Sequence, residues 1–224
     1  KIYQGFTSIN STVTRLGMSF SFILHDCPFQ ATTSQRTPGS QICGGRVTLT
    51  LVLGGVRSGK SRMAESLAAD FSGSIIYLAT AEAKDVEMQE RIALHRKHRP
   101  KHWKTIEEPI RIAQALFEHA TSNKLVVVDC LTLWMTNLLL ADDAFETGRL
   151  EIDALITEVK RKRSNLVLVS NETNSGVVPI DSLSRRFCDE IGRLHQNLAG
   201  LADNVILMVA GIPTWVKRES NGTI

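Results

Sequence analysis

From Val47 onward the chain alternates between two textures. Short apolar, β-prone runs recur at Thr48–Leu53, Ser74–Ala79, Leu125–Asp129, Leu166–Ser170 and Val205–Ala210. Between them, roughly over 60–70, 84–97, 109–121, 131–140, 150–163 and 181–202, apolar residues return at helical spacing. Runs that are apolar at every position belong to strands buried on both faces. Separated by helices, they predict an α/β fold with a mostly parallel sheet covered by helices on both sides. Residues 1–46 lack sustained periodicity. Their apolar cluster Phe20-Ser21-Phe22-Ile23-Leu24 is short, and Thr37-Pro38-Gly39-Ser40 and Gly44-Gly45 are loop chemistry. The pattern therefore predicts a poorly ordered N-terminal extension over 1–46 and one domain over 47–224.

Composition narrows the picture without redrawing it. A chain of 224 residues with 43% hydrophobic and 22% charged residues excludes collagen, coiled coil and wholesale disorder. No run of 18 apolar residues is available for a transmembrane helix. The net charge of +3 resides in 1–46, where Lys1, Arg15, Arg36 and Arg46 face only Asp26. The remainder is neutral, which argues against a nucleic-acid footprint. Cys27, Cys43, Cys130 and Cys188 form no CxxC pair and no metal-ligand rhythm, the expectation for reduced thiols in a cytoplasmic protein.

The first strand runs into Gly54-Gly55-Val56-Arg57-Ser58-Gly59-Lys60-Ser61, which fits G-x-x-x-x-G-K-[ST] in its required strand–loop–helix setting. Gly54 and Gly59 let backbone N–H groups close on a phosphate, and the following helix turns its positive end to the anion. Lys60 is expected to reach the outer phosphates and the Ser61 hydroxyl to ligate Mg²⁺. A second ligand is needed. Asp129 ends the apolar run Leu125-Val126-Val127-Val128, the usual form of a carboxylate beside a nucleotide-bound metal. Its bland alternative is a cap on the next helix, a task Thr132 could share.

Three of the six histidines lie close together in His95-Arg96-Lys97-His98-Arg99-Pro100-Lys101-His102. A solvated basic helix end would explain such a run. The spacing offers a sharper reading, in which His95 shares a helix face with Met88 and Ile92, and Pro100 helps to end the helix. Cations around it favour a neutral imidazole able to attack a phosphate, and would offset charge on the attacked group. Zinc is the other chemical option, but no nearby Cys or carboxylate completes a tetrahedral set.

At this point the residues reach a known family. From about Thr48 to Lys217 the chain resembles the bifunctional adenosylcobinamide kinase/adenosylcobinamide-phosphate guanylyltransferases of cobalamin assembly. The likeness runs through the loop 54–61, Tyr77-Leu78-Ala79-Thr80-Ala81, the histidine string, Trp103-Lys104-Thr105-Ile106-Glu107-Glu108-Pro109, and Asp129-Cys130-Leu131-Thr132-Leu133-Trp134. It continues through Ser170-Asn171-Glu172, Gly176-Val177-Val178-Pro179 and Gly211-Ile212-Pro213. The resemblance implies a RecA-like P-loop fold and a homo-oligomer, commonly a trimer. It implies two reactions: ATP or GTP phosphorylates adenosylcobinamide, then His95 takes GMP from GTP and passes it to adenosylcobinamide phosphate. It also implies nucleotide contacts from Gly54, Gly55, Val56, Arg57, Ser58, Gly59, Lys60 and Ser61, from Ala79, Thr80 and Ala81, from Arg96, Lys97, His98 and Arg99, and from Glu107 and Asp129. Thr173-Asn174 departs from the Val-Gly expected after Asn171-Glu172, which puts the shape of that loop in question. A P-loop small-molecule kinase without guanylyl transfer is the alternative, and a slow nucleotide-hydrolysing switch is a rival of another class.

Overall fold

The structure, a computed structural model, describes residues 47–83, 85–141 and 145–218, so the extension expected over 1–46 lies outside the described residues. Among the described residues, seven strands form one sheet in the order β3-β2-β4-β5-β1-β6-β7. Five match the apolar runs: β1 (Leu49–Gly54), β2 (Ser74–Ala79), β4 (Lys124–Asp129), β5 (Asn165–Asn171) and β6 (Asn204–Val209). The other two, β3 (Lys104–Glu107) and β7 (Ile212–Lys217), are edge strands that periodicity does not reveal. All neighbours pair in parallel except β6 and β7, which are antiparallel. This is the expected α/β architecture, with the phosphate-loop strand β1 central and β5 placed between it and the acid-ended β4.

Successive residues of each central strand serve opposite faces, so the sheet divides the core in two. On one side Leu51, Val126, Val128, Leu166 and Leu168 pack against α3 (Ile112–His119), α4 (Leu131–Ala141), α5 (Glu146–Lys160) and α6 (Ser182–Leu201). Trp134 anchors this layer, fully buried, with its indole N–H donating to the Ile110 carbonyl at 2.7 Å. On the other side Val52, Tyr77, Val127, Val167 and Val169 pack against Ala64 and Ala68 of α1 (Lys60–Ala69) and against Trp103. The helices thus cover both faces, four on one and chiefly α1 on the other.

Helix α2 (Val86–His98) is built differently. Asp85 caps it by accepting from the Met88 N–H at 2.7 Å, and Arg99 ends it in an extended conformation ahead of Pro100. Met88 and Ile92 are half-buried, but Ala93, Leu94, His95, Arg96 and Lys97 are exposed. The expectation that His95 shares the sheltered face of Met88 and Ile92 is therefore corrected. Helical spacing aligns the three residues, but the packing fades toward the C-terminus, where Arg96 and Lys97 hold the last turns in water.

Candidate active site

The C-terminal ends of β1, β2, β4 and β5 converge on one edge of the sheet, where ligands of open α/β folds gather. Gly54 has φ +152° and a Cβ there would lie 2.6 Å from both the Met208 carbonyl and the Ser58 hydroxyl, so only glycine fits. Gly59 precedes α1 with φ +98° and supplies no side-chain cap. The first N–H groups of α1 thus lack a side-chain partner at the cap, as a phosphate site requires. The Ser58 carbonyl accepts from the Gly211 N–H at 2.9 Å, so the β6–β7 turn braces the loop from behind. The Ser58 hydroxyl is buried without a hydrogen-bond partner, an orphan that an oxyanion would satisfy.

Lys60 lies over this loop, its ammonium donating to the Gly55 carbonyl at 2.7 Å. Burial lowers its pKa, opposed by its electrostatic interactions with Cys130 and Asp129. The Ser61 hydroxyl donates to Asp129 Oδ2 at 3.0 Å. The Tyr77 hydroxyl donates to the same oxygen at 2.5 Å. Burial first, and then the neighbouring carboxylate, push the Tyr77 phenol far up and keep it a donor. Asp129 is thus turned to the phosphate loop rather than capping α4. Ser61 and Asp129 stand as a hydroxyl–carboxylate oxygen pair of the hard-donor kind that suits Mg²⁺.

Around this centre some expected contacts have other partners. The Thr80 hydroxyl is fully buried, donating to the Cys130 carbonyl at 2.7 Å and accepting from the Cys130 N–H at 2.9 Å. The Thr80 carbonyl accepts from the Asn137 amide at 2.9 Å, and the same amide donates to the Pro109 carbonyl at 3.1 Å. Thr80 is thus a brace joining β2 to β4, while Ala79 pairs in register with Asp129, and Ala79 and Ala81 are both half-buried. Burial, with the Asp129 charge, pushes the Cys130 thiol up to about 11, so it is no nucleophile at neutral pH.

The histidine segment forms a second cluster. Arg96 forms a hydrogen-bonded ion pair with Glu107 of β3, so two expected nucleotide contacts hold each other. Arg99 places its guanidinium carbon 3.4 Å above the Tyr77 ring, and its Nε and Nη1 are buried without a partner. Tyr77 therefore links the two clusters, with Asp129 at its hydroxyl and Arg99 on its face. Sequence reasoning gave Tyr77 no role, although a tyrosine in an otherwise aliphatic buried strand signals a polar partner. Asn137 carried no such signal. At the departure from the family pattern, Asn174 ties the loop to α6 by donating to the Cys188 carbonyl at 3.0 Å.

The chain matches the family model described as cobinamide kinase / cobinamide phosphate guanyltransferase over residues 50–216. It is 50% identical over 169 residues to the bifunctional adenosylcobalamin biosynthesis protein CobP of Pseudomonas aeruginosa, covering 75% of this chain and 97% of that protein. It is 39% identical over 181 residues to the bifunctional adenosylcobalamin biosynthesis protein CobU of Escherichia coli, covering 75% and 99%. The CobU protein of Salmonella typhimurium is 36% identical with the same coverage. The matched span holds nearly the whole described domain, from the phosphate loop through the histidine helix to β7, and on that ground the chain belongs to the cobinamide kinase / cobinamide phosphate guanyltransferase family.

Proposed function

We propose that this chain phosphorylates adenosylcobinamide with ATP or GTP and then transfers GMP from GTP through a guanylylated His95, giving adenosylcobinamide-GDP for cobalamin nucleotide-loop assembly. The observation that carries this reading is one family match spanning both the phosphate cradle and the histidine helix. A cytoplasmic setting and assembly as a homo-oligomer, possibly a trimer, belong to the same proposal. Among the described residues no helix is long and apolar enough to cross a membrane.

In the kinase step the loop 54–61 holds the triphosphate through backbone N–H groups, and Lys60 draws charge from its outer oxygens. Ser61 and Asp129 would hold Mg²⁺, which when bound offsets charge on the phosphates. The acceptor hydroxyl bonds to the γ-phosphorus as the bond to the departing nucleoside diphosphate breaks. In the guanylyl step an imidazole nitrogen of His95 bonds to the α-phosphorus and pyrophosphate leaves. A phosphate oxygen of adenosylcobinamide phosphate then displaces the imidazole and takes the GMP. Covalent relay divides one difficult transfer into two. Arg96, Lys97, His98, Arg99 and Glu107 are the residues proposed to hold GTP for this step.

The alternative, a small-molecule kinase without guanylyl transfer, draws on the exposure of His95 and the Arg96–Glu107 pair. Purified chain incubated with adenosylcobinamide, Mg²⁺ and γ- or α-labelled GTP separates the two. Transfer of both labels to corrinoid product supports the dual activity, and transfer of the γ-label alone leaves only the kinase.

A further inference from the structure

Among the described residues of the sheet edge, Asn171 is a polar side chain that the reaction described above does not use. Asn171 ends β5, in register with Gly54 of the phosphate loop on one side and two positions beyond the residue paired with Asp129 on the other. Val167 and Val169 face α1, whereas Leu166 and Leu168 face the opposite layer. Strand alternation therefore turns Asn171 to the α1 side, the face on which Asp129 meets Ser61. Asn171 is half-buried, and its carboxamide makes no hydrogen bond among the described residues.

What holds this residue in place is unusual for a core. The Asn171 N–H donates to the Thr132 hydroxyl at 2.7 Å. That hydroxyl lies 3.2 Å from the Ser170 hydroxyl, which lies 2.7 Å from His195 Nε2. All three side chains are buried, Ser170 completely. A buried polar chain is costly unless every member is satisfied, and apolar residues would fill the same space. This one is satisfied, and it terminates on the backbone of Asn171. The adjoining Glu172 N–H donates to the Gly54 carbonyl at 2.9 Å, so the end of β5 is fixed to the phosphate loop as well.

We infer that Asn171 is a contact residue of the kinase centre, bridging the two reactants through one carboxamide, and that Thr132, Ser170 and His195 are the positioning residues that hold it there. The inference rests on the reading of the loop 54–61 as the donor site for phosphoryl transfer. The amide N–H groups donate to an oxygen of the γ-phosphoryl group, where charge spreads in the transition state. The amide oxygen accepts from the acceptor hydroxyl and aims it. The hydroxyl oxygen then bonds to the γ-phosphorus, the bond from that phosphorus to the β–γ bridging oxygen breaks with its electron pair leaving on the nucleoside diphosphate, and the hydroxyl proton passes to water. Aiming and charge stabilisation are the main services a protein offers this reaction. Attack at the α-phosphorus involves no acceptor hydroxyl at this position, so the amide serves one of the two activities selectively.

The test measures both activities on the full chain, with adenosylcobinamide and ATP or GTP for the kinase step and α-labelled GTP for self-guanylylation. Asn171→Ala is expected to lower kinase kcat about 100-fold or more, the usual cost of one aimed donor, with a much smaller change in nucleotide KM and in self-guanylylation. Thr132→Val, nearly isosteric, removes the hydroxyl that holds the Asn171 N–H. It should lower kinase kcat about tenfold, the lesser loss expected when an aimed group is misplaced rather than removed. Thr132→Ser should restore it. Kinase kcat within threefold of wild type in Asn171→Ala would overturn the inference. So would equal loss of both activities together with a large fall in melting temperature, which would make the residue structural. Wild-type chain that self-labels but never phosphorylates adenosylcobinamide would instead remove the functional reading, and the inference with it.

Discussion

The phosphate cradle and helix α2 are both rich in charge, but they are built in opposite ways. At the cradle, Lys60 is buried against the loop backbone, and Asp129 is held at one oxygen by Ser61 and Tyr77. Along the last turns of α2, Leu94, His95, Arg96 and Lys97 are exposed, and the Arg96–Glu107 pair that ties the helix to β3 is itself exposed. An exposed pair of this kind contributes ~1 kcal/mol or less. The contrast teaches that one centre is assembled by the fold before any ligand arrives, whereas the other costs little to reposition. The proposed carrier, which would meet first a nucleotide and then an acceptor, is well served by the second design.

Loss of both activities together is expected from breaking the prebuilt side. Lys60→Ala removes the ammonium over the loop and should reduce both labelled transfers by at least ~100-fold, since in the proposed function both draw on one triphosphate cradle. Kinase activity that survived at the wild-type rate would show that the loop is not the donor site. A structural break in the same body acts on stability instead. Trp134→Ala empties a fully buried site and strips the Ile110 carbonyl of its donor, so thermal unfolding should reveal a loss of ~3–5 kcal/mol.

A smaller effect is expected from pH. Burial lowers the pKa of His195, partly opposed by the charge of Glu172. The neutral form is therefore favoured in the folded chain. The stability this contributes is fully present above the unfolded value near ~6.5, and it is lost as pH falls from there through the folded value. Melting temperature measured between pH 8 and 5 should decline on the acid side, and His195→Gln should flatten that decline. A slope unchanged by the substitution would place the titrating group elsewhere. The smallest effect belongs to α2. Leu94→Ala should shift stability by no more than ~0.5 kcal/mol, as for an exposed position outside any packed cluster. A loss of several times that would mean α2 is docked far more firmly than its exposure implies.

The same contrast explains what could be read in the sequence. The five central strands announce themselves because a strand buried on both faces must be apolar throughout. The edge strands do not: β3 is Lys104-Thr105-Ile106-Glu107 and β7 is largely exposed, and neither needs a continuous apolar run. The loop 54–61 and Asp129 were legible because phosphate chemistry demands glycines, a lysine and a carboxylate at fixed places. Tyr77 and the Asn171 backbone anchor were not, because their partners lie 52 and 39 residues away and only the fold brings them together. Helical spacing aligns His95 with Met88 and Ile92, but spacing fixes only which residues align. Whether anything covers them depends on the surroundings, and the last turns of α2 are open to solvent.

Guanylyl transfer through a histidine carried on α2 is tested most directly with α-labelled GTP. Wild-type chain incubated with the label and Mg²⁺, then denatured, should carry GMP that is lost in acid and kept in alkali, as a phosphorus–nitrogen bond to imidazole requires. His95→Asn keeps a polar side chain of similar reach but forms no stable bond, so labelling should fall by several orders of magnitude. Phosphorylation of adenosylcobinamide, which draws on the cradle rather than the helix, should persist at a measurable rate. Full labelling of His95→Asn, or a label stable to acid, would contradict transfer through His95.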